Sequence, residues 1–134
     1  MDIKYTIEEL CDKIRLFTIK GKELADKFNK DLKENQEWFL SENKIIEEWF
    51  SLENKIIGRQ LECLQNLLKD PRNEKIREKI REREYLKPLY NDKISKLSIE
   101  RRLKNDIVRQ NYENDKDEMQ KILNNLIIKI TFIT

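Results

Sequence analysis

A tandem repeat of eleven residues occupies positions 37–57, with the sequence EWFLSENKIIEEWFSLENKII. Both copies contain a Trp-Phe pair, at 38–39 and at 49–50, and they differ only where Leu-Ser at 40–41 becomes Ser-Leu at 51–52. An α-helix advances about 100° per residue, so eleven residues make three turns plus about 20°. Equivalent side chains of the two copies therefore lie on nearly the same face, and the repeat predicts one long helix.

The repeat arranges its apolar side chains along two adjoining lines of that helix. The Trp line consists of Trp38, Ile45, Trp49, Leu52 and Ile56. The Phe line consists of Phe39, Ile46, Phe50, Ile57 and Leu64. The two lines form an apolar face about 160° wide, broader than a two-stranded contact requires, which predicts at least two neighbours. We interpret most of this face as core and part of it as a partner site, because Trp is a favoured interface anchor.

Two carboxylates interrupt the apolar face. Glu42 and Glu53 lie inside its sector, where a charge without a partner is costly. Three explanations stay open: ion pairs with the basic segment described below, a polar groove, or a bound cation. The candidate partner-binding residues are therefore Trp38, Phe39, Glu42, Trp49, Phe50 and Glu53.

The composition favours helices along the whole chain of 134 residues. Only two Gly and two Pro are present, too few for the turns of a β-rich fold, and charged residues make up 40%. We predict an all-α fold, an elongated helical bundle or a long helical hairpin of three to five helices, in a single domain spanning 1–134. A short extended C-terminal tail is a variant of this fold. The predicted helices span about 6–34, 36–69, 71–86, 89–112 and 117–130.

Local signals set these helix boundaries. Thr6-Ile7-Glu8-Glu9 is typical of a capping box. Asp70 and Pro71 are typical of an N-cap followed by a first helical residue. Pro88 should break or kink its helix. Between 29 and 36 the apolar spacing thins, so a turn and a continuous helix are both compatible with the sequence.

Most residue types that carry enzymatic chemistry are missing. The chain has no His, which removes the commonest general base and most zinc sites, and it has neither GxxxxGK nor GxGxxG. We therefore expect no enzymatic activity, no cofactor and no bound metal. Cys11 and Cys63 form no CxxC motif and are expected to be core thiols of a cytoplasmic protein. No apolar run approaches the ~20 residues of a membrane span, so no membrane association is expected.

Positive charge is concentrated in residues 71–112, which carry thirteen basic and seven acidic groups. Residues 37–70 carry four basic and seven acidic groups. A basic helix can follow a phosphate backbone, although interleaved Glu residues weaken the local field and a solvated helix with ion pairs is the simpler interpretation. The candidate nucleic-acid contacts are Lys93, Lys96, Arg101, Arg102, Lys104 and Arg109.

Two functional hypotheses follow. The first is a non-enzymatic helical protein that binds another protein, including a second copy of itself, as an adaptor, subunit or inhibitor. The Lys-, Asn- and Ile-rich usage resembles AT-rich coding and fits a phage or mobile-element origin. The alternative is a nucleic-acid-binding protein, or a small helical subunit of a nucleoprotein complex, that uses the basic segment 72–109.

Overall fold

The computed structural model describes the backbone of residues 7–133 and the side chains of residues 8–128. Two long helices make up this part of the chain: α1, Ile7–Leu68, of 62 residues, and α2, Glu74–Ile133, of 60 residues. The all-α prediction is confirmed. The prediction of three to five helices is wrong, because α1 replaces the predicted helices 6–34 and 36–69 and α2 replaces the other three. The backbone is helical through Ile133, so the extended tail is wrong as well.

The region around 29–36 is continuous helix because nothing in it stops one. It contains neither Gly nor Pro, and Lys30 and Glu34 form an i,i+4 ion pair at 3.9 Å. The polar pair Asn35 and Gln36 is half-buried and hydrogen-bonded to α2. The Asn35 side-chain amide donates to Asn105 Oδ1 at 3.3 Å, and Gln36 Oε1 accepts from Arg101 Nη2 at 2.6 Å. Polar positions that look like a gap in the apolar pattern are therefore contacts between helices.

Pro88 lies inside α2 and does not end it. A proline in a helix removes one backbone hydrogen bond and crowds the preceding turn, at a cost of about 3 kcal/mol. Leu86 is buried and Tyr90 is half-buried on either side of it, so packing against α1 holds the helix through this point. Residues 113–116, which lie between two of the predicted helices, are also helical, and Gln110 bonds to Asn114 at 3.0 Å across one helical turn.

The turn between the helices differs in detail from the predicted restart. Lys69 follows α1 with φ of 53°, and its N–H donates to the Gln65 carbonyl at 3.1 Å, which is the left-handed C-terminal cap usually made by Gly. Asn73 caps α2, since its Oδ1 accepts from the Lys75 N–H at 2.9 Å. Asp70 accepts from the Arg72 N–H inside the turn instead, so Pro71 precedes the helix by three residues. The predicted capping box begins at Thr6, which lies outside the described residues.

The chain divides into two compact units. The terminal unit combines the chain up to Asn35 with the chain from Leu103 onward, and the central unit is Gln36–Arg102. Among the described residues, the buried apolar side chains of the terminal unit are Leu10 and Leu126. Those of the central unit are Ile57, Leu61, Ile76, Leu86 and Leu97.

Both cysteines lie outside these cores. Cys11 and Cys63 are exposed free thiols, so the expectation that they are core residues is wrong. That expectation rested on the helical, apolar surroundings of the two cysteines. Two packed helices bury only one narrow face of each helix, and neither cysteine lies on that face. Within the described helices, no segment is long and apolar enough to cross a membrane.

Candidate protein-binding surface

The Phe line forms the seam of the central unit, the strip along which its α1 and α2 parts pack together. The Phe50 and Tyr90 rings lie 4.5 Å apart between centroids, and the Arg101 guanidinium lies 4.4 Å from the Phe39 centroid. Phe39 and Phe50 are eleven residues apart on α1, and their partners are eleven residues apart on α2. The repeat therefore places equivalent phenylalanines against equally spaced partners, which explains why an eleven-residue duplication keeps its packing.

The terminal unit contains a contact of the same kind. Phe28 stacks on Tyr112 with 4.5 Å between centroids, and Phe28 precedes Phe39 by eleven residues. Phe17, half-buried, precedes Phe28 by another eleven. The sequence places both residues on an apolar seam of the first predicted helix, but the duplicated phrase alone does not show that they continue the eleven-residue spacing. The spacing of Phe alone was the available signal.

The Trp line turns away from the seam. Trp49 is half-buried at the edge, where the Lys93 ammonium lies 4.7 Å from its ring centroid. Trp38 is also half-buried. The aliphatic members of the line are exposed: Ile45 by 57%, Leu52 by 58% and Ile56 by 40%. The broad apolar face is thus divided, with the Phe line packed on α2 and much of the Trp line open to solvent.

Two residues of α2 extend this open line across the seam. The Trp49–Lys93 contact identifies which flanks of the two helices adjoin. On α2, Leu89 lies four residues before Lys93 and Tyr85 four before Leu89, which places both on the same side. Tyr85 is 68% exposed and Leu89 36%. We call this surface of the central unit the Trp face, and its members are Ile45, Trp49, Leu52, Ile56, Tyr85 and Leu89.

The opposite flank of the central unit is polar. On α1 it carries Glu47 and Ser51, and on α2 Asn91 and Ser98, all exposed. Leu40 is its exposed large apolar residue, at 54%. Because the two copies of the repeat differ by an inverted Leu-Ser pair, the second copy has Ser51 on this flank and moves its leucine about 100° round the helix, onto the Trp face.

The two carboxylates of the repeat lie at the edge between seam and Trp face. Glu42 and Glu53 are half-buried. Neither forms an ion pair within 4.0 Å with any residue that the structure describes, so the first of the three explanations, pairing with the basic segment, is not found there. Both carboxylates border the Trp face. Glu42 lies three residues before Ile45, and Glu53 lies four residues after Trp49 and three before Ile56.

The basic residues singled out from the sequence fall into two groups. Three of those in the central unit have intramolecular partners: Lys93 covers Trp49, Lys96 pairs with Asp92 at 3.0 Å, and Arg101 binds Gln36 and Phe39. Arg102 and Arg109 are exposed, as is Lys104, which has a further interaction. Four of the six predicted nucleic-acid contacts therefore already take part in an intramolecular interaction.

The rest of the described surface includes an open groove. Among the described residues, no three Cys, Asp or Glu side chains cluster in a way that would hold a metal ion. An open groove in the terminal unit, of about 380 Å³, is lined by Phe17, Leu24, Met119 and Ile122 together with charges of both signs.

No family model, curated protein or solved structure matches this chain.

Proposed function

We propose that this chain is a non-enzymatic helical protein-interaction module and that the Trp face is its binding surface. The observation that carries the proposal is the exposure of Ile45, Leu52 and Ile56 beside a Trp that is only half-buried. Contiguous apolar surface rimmed by polar residues is typical of protein-binding sites. Trp and Tyr, both present here, are the residues most enriched among interface hot spots.

This proposal revises the candidate residues chosen from the sequence. Trp49 and Trp38 stay at the edge of the binding surface. Phe39 and Phe50 are assigned to internal packing, because each already contacts a side chain of α2. Glu42 and Glu53 border the surface, where a basic partner would supply the counter-charge that the described residues do not.

The alternative, nucleic-acid binding through the basic segment, has less support. Phosphate binding requires Lys and Arg side chains that are free to reach a backbone. Using Lys93, Lys96 or Arg101 in this way would break the contacts that each of them makes in the central unit.

The test is a capture experiment with matched variants of the full chain. The wild type, Leu52→Glu and Leu40→Glu are immobilised and exposed to extract of the source cell together with a differently tagged copy of the chain. Leu40 and Leu52 are both exposed leucines of α1, on opposite flanks. We expect proteins retained by the wild type and by Leu40→Glu to be lost with Leu52→Glu. Identical capture by all three variants, or no specific capture by any, would contradict the proposal.

A further inference from the structure

We infer that the Trp face binds a second copy of this chain, so that two central units form a four-helix assembly. This inference rests on the proposed function and specifies its partner. Two observations identify a second copy as the partner: the exposed apolar surface of the central unit, and the opposite net charges of its α1 and α2 parts.

The central unit leaves more large apolar side chains exposed than it buries. Five are buried and nine are exposed among its residues, all of which the structure describes. Five of the nine exposed side chains belong to the Trp face, so the apolar surface available for a second copy is concentrated there.

The Trp face has the layout of a self-complementary contact. It presents aliphatic residues on α1 (Ile45, Leu52 and Ile56) and a Tyr and a Leu on α2. A two-fold axis parallel to the helices would place α1 of one central unit on α2 of the other. Every helix then has antiparallel neighbours, as in an ordinary four-helix bundle, and each copy uses the same patch. In this arrangement Leu52 meets Leu89 of the second copy, and Ile56 meets Tyr85 of the second copy.

The charges favour the same arrangement. The α1 part of the central unit, 36–68, carries three basic and six acidic groups, a net charge of −3. The α2 part, 74–102, carries ten basic and six acidic groups, a net charge of +4. A contact between α1 and the α2 of a second copy therefore joins opposite charges, whereas α1 on α1 would join like charges. Glu42 and Glu53, which have no ion-pair partner among the described residues, border this contact.

Sedimentation equilibrium of the full chain tests the association itself. We expect the wild type to have about twice the 16.4 kDa chain mass at micromolar concentration. Leu52→Glu and, separately, Ile45→Glu should raise the dissociation constant at least about tenfold, because each buries a carboxylate in an apolar contact. The matched control Leu40→Glu should leave it unchanged. Circular dichroism checks that helicity is retained, and two variants at different positions guard against one that misfolds.

A wild type that stays at the monomer mass up to about 100 µM, well above the ~1 µM dissociation constants of modest complexes, would overturn the inference. Equal masses for wild type and both Trp-face variants would also overturn it. These results are distinct from failure of the proposed function. A monomeric chain whose capture of other proteins depends on Leu52 would retain the function and lose the second copy as partner.

Disulfide formation between two single-cysteine variants tests the arrangement. Both carry Cys11→Ser and Cys63→Ser, and one adds Leu52→Cys while the other adds Leu89→Cys. We expect mild oxidation of the mixture to give mainly the mixed disulfide, since α1 of one copy lies on α2 of the other. Predominant Leu52→Cys homodimers, or no cross-link from a dimeric sample, would contradict this arrangement.

Discussion

The contact between Phe50 and Tyr90 provides a quantitative test of the packing. Their centroids are 4.5 Å apart with the ring planes tilted by 39°, at the short end of the 4.5–7 Å range of favourable aromatic pairs. Such a pair contributes about 1 kcal/mol beyond the apolar area that it buries. We therefore expect a double-mutant cycle of Phe50→Leu and Tyr90→Leu to give a coupling energy of about 1 kcal/mol. Leucine keeps each site apolar, so little else changes.

Urea unfolding followed by circular dichroism measures all four members of the cycle at one protein concentration, because self-association would make stability concentration-dependent. Tyr85 is the matched control, since it is an exposed Tyr five residues away on the same helix. A cycle of Phe50→Leu with Tyr85→Leu should give no coupling beyond the usual error of about 0.3 kcal/mol. Coupling that is absent for Tyr90, or equal for Tyr85, would refute the pairing of the two helices described above.

Three further predictions concern single features. Pro88→Ala should raise the free energy of unfolding by up to about 3 kcal/mol in urea titrations, because it restores a helical N–H; unchanged or lower stability would show that α2 needs its proline. Asn73→Ala should lower it by about 1 kcal/mol by removing the cap of α2, and an effect near zero would contradict the cap. Mixed-sequence RNA and DNA should not be retained by the immobilised chain even at about 50 mM salt, whereas retention that falls steeply with salt would support nucleic-acid binding.

The sequence predicted α1 of the central unit well because its signal is redundant. The duplicated phrase places Phe39 and Phe50 on one line and Trp38 and Trp49 on the next, and the structure keeps the two lines separate. What the sequence could not establish is which line packs inside the chain. An apolar face 160° wide predicts two neighbours, but α2 is the one neighbour that the described part of the chain provides.

The helix number was wrong because local stop signals are weaker than packing between helices. Pro88 and the polar stretch around Asn35 each interrupt the apolar pattern, yet both lie in continuous helix. Two polar residues of α2 also contact α1: Arg101 contacts Gln36 and Phe39 in the central unit, and Asn105 contacts Asn35 in the terminal unit. A residue that pairs only with a distant segment carries no local signal, so hydrophobic spacing underestimates the length of such a helix.

The sequence predicted only part of the candidate site, because contacts between distant segments leave no local signal. Tyr85 and Leu89 join the Trp face only through the way α2 lies beside α1, which no spacing within α2 indicates. The significance of Leu52 was in the sequence from the start, as half of the inverted Leu-Ser pair. What the inversion does becomes clear only from the structure, in which Leu52 lies on the Trp face and Leu40 on the opposite flank.

The most direct test of the central claim exchanges that pair alone. The double variant Ser51→Leu with Leu52→Ser restores the order of the first copy and conserves composition, charge and helix-forming residues, while it moves one leucine about 100° away from the Trp face. Sedimentation equilibrium should give the 16.4 kDa mass of a single chain for this variant and about twice that mass for the wild type. A double variant that associates as strongly as the wild type, with the same helicity, would contradict the claim that the Trp face is the binding surface.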